Sequence, residues 1–227
     1  MALFAIGDLH FSTGSDKPMD IFSGWQGYVE RLCDSWRAQV APDDTVVVAG
    51  DISWGMTLET ALPDFILIDS LPGKKVLLKG NHDYWWTSRR KMEDCFAANR
   101  LHTLRILHNN SYEEEGVALC GTRGWMLEEA TRHDQKIAAR EEGRLRASLE
   151  SAKESGLEPV VFLHYPPVYL GTESGGMIDV MRQYGVRRCF YGHLHGNACK
   201  NAVEGPYHGI DFTLISADHL DFQLKKL

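Results

Sequence analysis

Five of the six apolar runs in this sequence end in a cluster of glycine, aspartate, asparagine or histidine, and this repeated ending constrains the fold more than any other feature. The runs are Leu3–Ile6, Thr45–Ala49, Lys75–Leu78, Val117–Cys120, Pro159–Leu163 and Arg188–Tyr191. Nearly unbroken apolar character is typical of strands that are covered on both faces. We therefore predict a buried sheet that contains most of these runs.

Helices are predicted between the strands, because apolar residues there recur at the spacing of one helix face. The predicted helices are Ser23–Val40, Thr57–Ser70, Ser88–Ala98 and His133–Ser155. Alternating strands and helices indicate a layered α/β or α+β domain, and 227 residues suit a single domain over the whole chain. We also expect Phe212–Ile215 and Phe222–Leu224 to form a closing hairpin, and Glu113–Glu115 to form a solvated turn.

Composition argues against several classes of protein. No apolar run approaches the roughly 20 residues that span a bilayer, so we expect no membrane protein. The formal net charge of −7 repels phosphate backbones, which argues against extended nucleic acid as a partner. The N-terminus lacks the features of a signal peptide, and the five cysteines lack the spacing of metal or redox motifs. We therefore expect a cytoplasmic protein with reduced thiols; nothing in the sequence indicates an oligomeric state.

Polar side chains at the strand ends have the donor atoms of a metal site. They are Asp8, His10, Asp51, Asn81, His164, His193 and His195. The carboxyl ends of strands in a layered sheet meet at one edge, where ligands usually bind. Carboxylate and imidazole together suit divalent transition metals, and the lack of a thiolate argues against a structural zinc site. Because residues two apart on an extended backbone point the same way, we expect Asp8 and His10 to share one ion, and His193 and His195 another.

Seven donors exceed what one ion needs. If Asp51 bridges, two ions about 3.5–4 Å apart share it, which is the arrangement that clamps a phosphoryl group and activates a water molecule. The site would then carry a net positive charge inside an acidic protein. We therefore expect a small anionic substrate.

These motifs resemble those of the calcineurin-like metallophosphoesterases, and in particular the smaller bacterial-type phosphoesterases. The matching blocks are Asp8-Leu9-His10, Gly50-Asp51, Gly80-Asn81-His82-Asp83, His164 and Gly192-His193-Leu194-His195. The resemblance implies a four-layer αββα sandwich. It further implies a first ion held by Asp8, His10, Asp51 and His195, and a second held by Asp51, Asn81, His164 and His193.

The same resemblance implies a hydrolase of phosphate esters that uses two divalent ions, Mn, Fe or Zn, with Mn favoured. A hydroxide bridging the ions would attack phosphorus, and His82 would stabilise the phosphate or protonate the leaving oxygen. Trp54 occupies the place of the aspartate that orients the catalytic histidine in serine/threonine protein phosphatases, and of the tyrosine ligand in purple acid phosphatases. Protein phosphatase activity is therefore not expected, and the orientation of His82 is left open.

Three further side chains are candidates for substrate contacts. Arg123 comes soon after a strand and is followed directly by a glycine, with another glycine two residues before it. There its guanidinium group would reach a bound phosphate; the alternative is an ordinary loop arginine. Trp54 and Tyr84 follow the second and third blocks and offer rings for stacking, although rings at such places also line cores. These rings slightly favour a phosphodiesterase acting on small molecules or nucleotides. The alternatives are a phosphomonoesterase, a nuclease and, from a different class, a non-catalytic metal-binding scaffold for partner proteins.

Overall fold

A computed structural model describes residues 1–126 and 131–227. The strands are β1 (Leu3–Ile6), β2 (Thr45–Ala49), β3 (Lys74–Leu78), β4 (Leu104–Ile106), β5 (Tyr112–Glu114), β6 (Val117–Thr122), β7 (Glu158–Leu163), β8 (Val168–Tyr169), β9 (Thr172–Glu173), β10 (Arg188–Tyr191), β11 (Gly205–Tyr207), β12 (Ile210–Leu214) and β13 (Lys225–Lys226). The helices are α1 (Tyr28–Gln39), α2 (Leu58–Ser70), α3 (Arg89–Ala98), α4 (Arg132–Ala152) and α5 (Met177–Gln183). None of the helices within these two ranges is long and apolar enough to cross a membrane.

Two sheets lie face to face. In the first, β1 to β4 run parallel and β13 pairs antiparallel with β1. In the second, β6, β7, β10 and β12 run parallel, with β5 and β11 antiparallel at the two edges. Side chains of both sheets merge in one buried cluster, which includes Val47 and Val76 from the first and Val160 and Phe162 from the second.

Helices cover the two outer faces. Trp36, Phe65 and Phe96 place α1, α2 and α3 on the first sheet, while Leu145 and Met181 place α4 and α5 on the second. The result is the layered α/β arrangement that the sequence predicted, with helices outside two largely parallel sheets. All six predicted strands are present, as are the four predicted helices.

The start of α1 differs from the prediction. The helix begins at Tyr28 rather than at Ser23, because Gly24 and Gly27 adopt positive φ angles of 89° and 61°, which are incompatible with a right-handed helix. Trp25 belonged to the helical apolar pattern, yet it is buried in the turn that precedes the helix. The apolar pattern therefore located the buried side chain correctly and the helix boundary wrongly.

The predicted closing hairpin is wrong. β12 pairs with β10 and β11 in the second sheet, whereas the chain ends as β13 beside β1 in the first sheet. Phe222 lies in no strand; its ring packs against Trp25 and Tyr28. Its apolar character therefore reflects burial at the start of α1 rather than strand pairing.

The solvated turn predicted at Glu113–Glu115 is wrong for Glu114. This residue lies in β5, and its side chain is only 8% exposed. Its carboxylate pairs with Lys74 at 3.3 Å and Arg105 at 2.7 Å, and it accepts a hydrogen bond from the Thr45 hydroxyl at 3.1 Å. These three partners lie on the first sheet, so Glu114 connects the edge of the second sheet to the first.

Replacing Glu114 with alanine should destabilise the fold, because Lys74 and Arg105 would lose their shared carboxylate. Both cationic side chains are more than a third exposed, so water would solvate them in the variant. We therefore expect the free energy of unfolding, measured by urea denaturation, to fall by about 1–2 kcal/mol. Glu113→Ala, at the exposed neighbouring position, should change that free energy by less than about 0.5 kcal/mol. Equal losses in the two variants would contradict a connection between the sheets through Glu114.

Candidate metal centre

Four of the predicted ligands lie at strand ends in a backbone conformation that residues other than glycine rarely adopt. Their φ angles are 62° at Asp8, 47° at His10, 50° at Asp51 and 73° at His193, all in the left-handed region. The expectation of an extended backbone through Asp8 and His10 is therefore wrong, since tight turns bring their side chains together. Strain of this kind concentrates at functional sites, where the surrounding structure maintains it.

Two glycines allow the strand ends to approach each other closely. A Cβ atom at Gly80 would collide with the backbone nitrogen and carboxylate of Asp51, and one at Gly192 would collide with the carboxylate of Asp8. Any side chain at either position would therefore displace an aspartate from the cluster.

Six of the predicted ligands form two compact groups. The first consists of Asp8, His10 and His195 and the second of Asp51, His164 and His193, with the ligand atoms of each group within 4.8 Å of one another. His193 and His195, which the spacing predicts to share an ion, therefore lie in different groups. Their φ angles, 73° and −126°, differ, and each ring joins a different group, which is also how the family resemblance divides them.

Asp51 and Asn81 complete the arrangement. The Asp51 Oδ2 atom lies 3.7 Å from Nε2 of His10 and 3.5 Å from Nε2 of His164, so one carboxylate oxygen faces both groups. The Asn81 Oδ1 atom lies 2.6 Å from Nε2 of His164 and 2.9 Å from Nδ1 of His193. Asn81 thus joins the second group, and Asp51 has the position of a bridging ligand.

The spacing of the donor atoms fits metal ions. Two nitrogen ligands about 2.1 Å from one ion at a tetrahedral angle lie about 3.4 Å apart. His10 Nε2 and His195 Nε2 are separated by 3.4 Å, and His193 Nδ1 and His164 Nε2 by 3.3 Å. The side chains present therefore fit a pair of divalent ions that share Asp51.

Burial and mutual charge shift the pKa values of these groups. Burial and the neighbouring Asp8 raise the pKa of Asp51 to about 8, while burial lowers the pKa of His10 and of His193 to about 3. Burial also opposes a charge on His195, but the carboxylates beside it outweigh burial and raise that pKa to about 10. At neutral pH His10 and His193 are thus neutral and offer lone pairs, and a divalent cation would favour the ionised form of Asp51.

Two histidine rings are oriented by acceptors behind them. Nδ1 of His164 lies 3.1 Å from the carbonyl oxygen of Ala49, and Nδ1 of His195 lies 2.8 Å from Oδ1 of Asp218. In each ring the second nitrogen consequently faces the cluster, as in metal sites generally. Sequence reasoning missed Asp218, although it follows β12 much as the other acidic residues follow their strands.

Asp83 fixes the ends of β2 and β3 relative to each other. Its buried carboxylate accepts hydrogen bonds from the backbone N–H groups of Asp51 at 3.0 Å, Ile52 at 2.9 Å and Gly80 at 2.7 Å. The indole N–H of Trp85 donates to the same carboxylate at 3.0 Å. Sequence reasoning treated Asp83 only as the end of a motif, whereas the structure makes it the anchor of the loop that carries Asp51.

His82 stands beside the cluster and is oriented by aromatic side chains. Its backbone N–H donates to Asp51 Oδ1 at 2.7 Å. The ring of Trp54 lies 4.4 Å from that of His82, centre to centre, and also stacks on His10 at 5.1 Å. The Tyr84 hydroxyl lies 3.5 Å from Nδ1 of His82, at the outer limit of a hydrogen bond. Trp54 and Tyr84 thus orient His82 in place of the aspartate that does so in the protein phosphatases.

The guanidinium group of Arg123 is engaged outside the cluster. Its Nη2 atom lies 3.4 Å from the buried carboxylate of Glu141, and its Cζ atom lies 5.1 Å from the ring centre of Trp125. The backbone of Arg123 does reach the site, because its carbonyl oxygen accepts a hydrogen bond from the His164 N–H at 3.1 Å. The described hydrogen bonds and ion pairs connect its side chain to no predicted ligand.

A cavity of about 460 Å³ lies against the first group. Its lining residues are His10, Met19, Phe22, Ser23, Trp25, Trp54, His82, His195, Gly196 and Asp218. This volume is in the range of small-molecule sites. Since two of the predicted ligands and His82 line it, the cavity opens directly beside the donor atoms.

Two largely parallel sheets packed face to face, with two groups of aspartate and histidine at their strand ends, form a layered α/β protein with a candidate dinuclear metal site. The sequence profile of the calcineurin-like phosphoesterases matches residues 1–197. The chain belongs to that family and is a metal-dependent phosphoesterase with a dinuclear site for divalent ions.

Solved structures with the same fold have low sequence identity to this chain. Phosphopantetheinyl hydrolase (PptH) from Mycobacterium tuberculosis is 17% identical, with a TM-score of 0.59 over 100% of this chain and 95% of its own. The protein TT1561 of Thermus thermophilus is 11% identical, with a TM-score of 0.61 over 99% and 97%. AQ665 from Aquifex aeolicus, a protein of unknown function, is 16% identical, with a TM-score of 0.55 over 99% and 95%. Such identities show the fold alone, and no curated protein matches the sequence.

Replacing Asp218 with asparagine should weaken metal binding at the first group, because His195 would lose the carboxylate that fixes its ring. We expect the dissociation constant of the ion at Asp8 and His10 to rise about 10- to 100-fold, measured by competition with a fluorescent chelator. Asp211→Asn, at an exposed position on β12, is the matched control and should leave both affinities unchanged. An unaltered affinity in Asp218→Asn would contradict the positioning role.

Proposed function

We propose that this protein is a phosphodiesterase that hydrolyses small-molecule phosphodiesters with two manganese ions. The observation that carries the proposal is the cavity of about 460 Å³ beside the donor atoms. A diester has a second ester group that a monoester lacks, and the cavity offers space for that group next to the predicted ligands. Manganese is compatible with a donor set of carboxylate, imidazole and amide groups that contains no thiolate.

The proposed ligand sets are Asp8, His10, Asp51 and His195 for one ion and Asp51, Asn81, His164 and His193 for the other. When bound, the ions would lower the pKa of a water molecule and stabilise charge on the phosphoryl oxygens. Two observations support this role: His10 and His193 are neutral at pH 7, and one carboxylate oxygen of Asp51 faces both groups of donors.

His82 is the proposed proton donor to the leaving oxygen. Burial and the neighbouring His164 lower its pKa, so the ring is neutral at pH 7 before a substrate binds. The negative charge of a bound phosphate ester favours the protonated ring. Proton uptake by His82 would accordingly accompany substrate binding, and the imidazolium would then supply the proton that a departing alkoxide requires.

Trp54, Tyr84 and Arg123 are the proposed substrate contacts. Trp54 lines the cavity, and Tyr84 is largely exposed next to His82. The Arg123 Nε atom is buried without a hydrogen-bond partner, and its neighbour Glu141 is shared with Arg144 at 2.6 Å. An anionic oxygen of the substrate would supply the acceptor that this Nε–H lacks.

The proposal is tested with an aryl phosphate monoester and the matching methyl aryl diester, using protein stripped by a chelator and reloaded with Mn²⁺. We expect kcat/KM to be at least about tenfold higher for the diester, because the second ester group gains contacts in the cavity. A preference for the monoester would contradict the proposal and indicate a phosphomonoesterase. Absence of turnover with two ions bound per chain would contradict hydrolysis of such esters altogether.

His82→Ala serves as the internal control of this assay. The variant should keep both ions and lose about 10²- to 10³-fold in kcat, because only the proton donor is removed. His102→Ala, at an exposed histidine away from the described cavity, should behave as the unmodified protein. Loss of a bound ion in His82→Ala would instead make His82 a ligand.

A further inference from the structure

The cavity beside the cluster is polar where it meets the histidines and apolar over most of its remaining lining. The apolar lining residues are Met19, Phe22, Trp25 and Trp54. Trp25 is almost fully buried, and its ring packs edge-on against His10 at 5.8 Å and His195 at 5.6 Å. The apolar surface therefore begins directly at two of the proposed ligands.

Apart from the histidines and the ions they would hold, this cavity offers no counter-charge to a further anionic group. Among its lining residues that the structure describes, none is lysine or arginine. Its one carboxylate, Asp218, is engaged by His195 and by the backbone N–H of Gly196, both at 2.8 Å. A second phosphate or a carboxylate of the substrate would lose water there without gaining a partner. The chemistry of the lining thus favours an uncharged group.

A second cavity, of about 270 Å³, extends the apolar surface outward. It shares Met19, Phe22 and Trp54 with the first, and its other lining residues are Asp16, Lys17, Pro18 and Ile21. Asp16 and Lys17 are adjacent and both exposed, so their opposite charges offset each other and remain in water. Phe22 is 52% exposed and Ile21 is 74% exposed, so large apolar side chains face solvent beside the site. Contiguous exposed apolar surface is typical of ligand grooves. We call the two cavities together the apolar groove.

We propose that the apolar groove binds a linear alkyl substituent of the substrate, so that the scissile phosphodiester carries an alkyl chain rather than a nucleoside or a further phosphate. The inference rests on the proposed phosphodiesterase activity and names its substrate class. The two cavities adjoin through Met19, Phe22 and Trp54, and each methylene that enters them leaves water. A nucleobase would bring polar atoms that need partners, and Ser23 is the only hydroxyl side chain in the described lining of the first cavity.

Binding of alkylphosphonates tests this assignment without requiring turnover. The Mn²⁺-loaded protein is titrated in a calorimeter with methyl-, butyl- and octylphosphonate, which share one anionic head group. We expect the dissociation constant to fall about two- to fourfold per added methylene as long as the chain stays within the groove. A dissociation constant that does not change along the series would overturn the inference.

Substitutions at Phe22 and Ile66 test whether the alkyl chain binds in the apolar groove. Phe22→Ser should reduce the ratio of methyl- to octylphosphonate dissociation constants at least about fivefold, and Phe22→Leu should restore most of it because an apolar side chain returns. Ile66→Ser is the matched control, since Ile66 is exposed to nearly the same degree, 51%, on α2 outside both cavities. An equal loss in Phe22→Ser and Ile66→Ser would place the alkyl chain elsewhere and overturn the inference.

Hydrolysis of the methyl aryl diester, measured on the same preparations, separates this inference from the proposed function. Turnover of that diester without any dependence of binding on chain length would support the phosphodiesterase activity and contradict the binding of an alkyl chain in the groove. Chain-length dependence of binding without turnover of any diester would contradict the proposed function. It would also contradict the assignment of the alkyl chain to a substrate. Turnover together with chain-length dependence lost only in Phe22→Ser supports both.

Discussion

The carboxylate of Asp51 lies between histidines that come from the two halves of the sandwich, His10 after the first strand of one sheet and His164 after β7 of the other. Because it is almost fully buried and close to a second carboxylate, its ionised form is costly, which is why its pKa rises to about 8. Positive charge from two bound divalent ions would remove that cost. The position of this carboxylate between the two groups of donors would therefore allow it to bridge two ions, and its buried charge would favour their binding.

The surrounding structure keeps Asp51 in place against considerable strain. Each non-glycine residue in the left-handed region costs about 1 kcal/mol or more, and Asp8, His10, Asp51 and His193 all adopt it. The apolar cluster between the sheets holds the strands that enter these turns, and Asp83 ties the turn after β2 to the end of β3. The fold therefore acts as the rigid support on which an unfavourable cluster of charge is assembled.

The layered fold and the site-forming strands could be predicted from the sequence because they depend on local patterns: apolar runs, helical spacing and the polar residues that end each run. Patterns of this kind do not record partners distant in the sequence. The roles of Asp83 and Asp218 depend on which loops meet in space, and so does the burial of Glu114 against the first sheet. Phe222 is the converse case: its apolar character predicts a strand, but its ring is buried against Tyr28 of α1.

The family and the site together indicate a dinuclear phosphoesterase, in which we propose that Asp51 bridges the two ions. Electron paramagnetic resonance of protein loaded with two equivalents of Mn²⁺ tests it most directly, because ions that share a bridging ligand couple magnetically. We expect a spin-coupled pair in the unmodified protein and loss of the coupling in Asp51→Asn. A spectrum of isolated Mn²⁺ ions in the unmodified protein with both sites filled would contradict it.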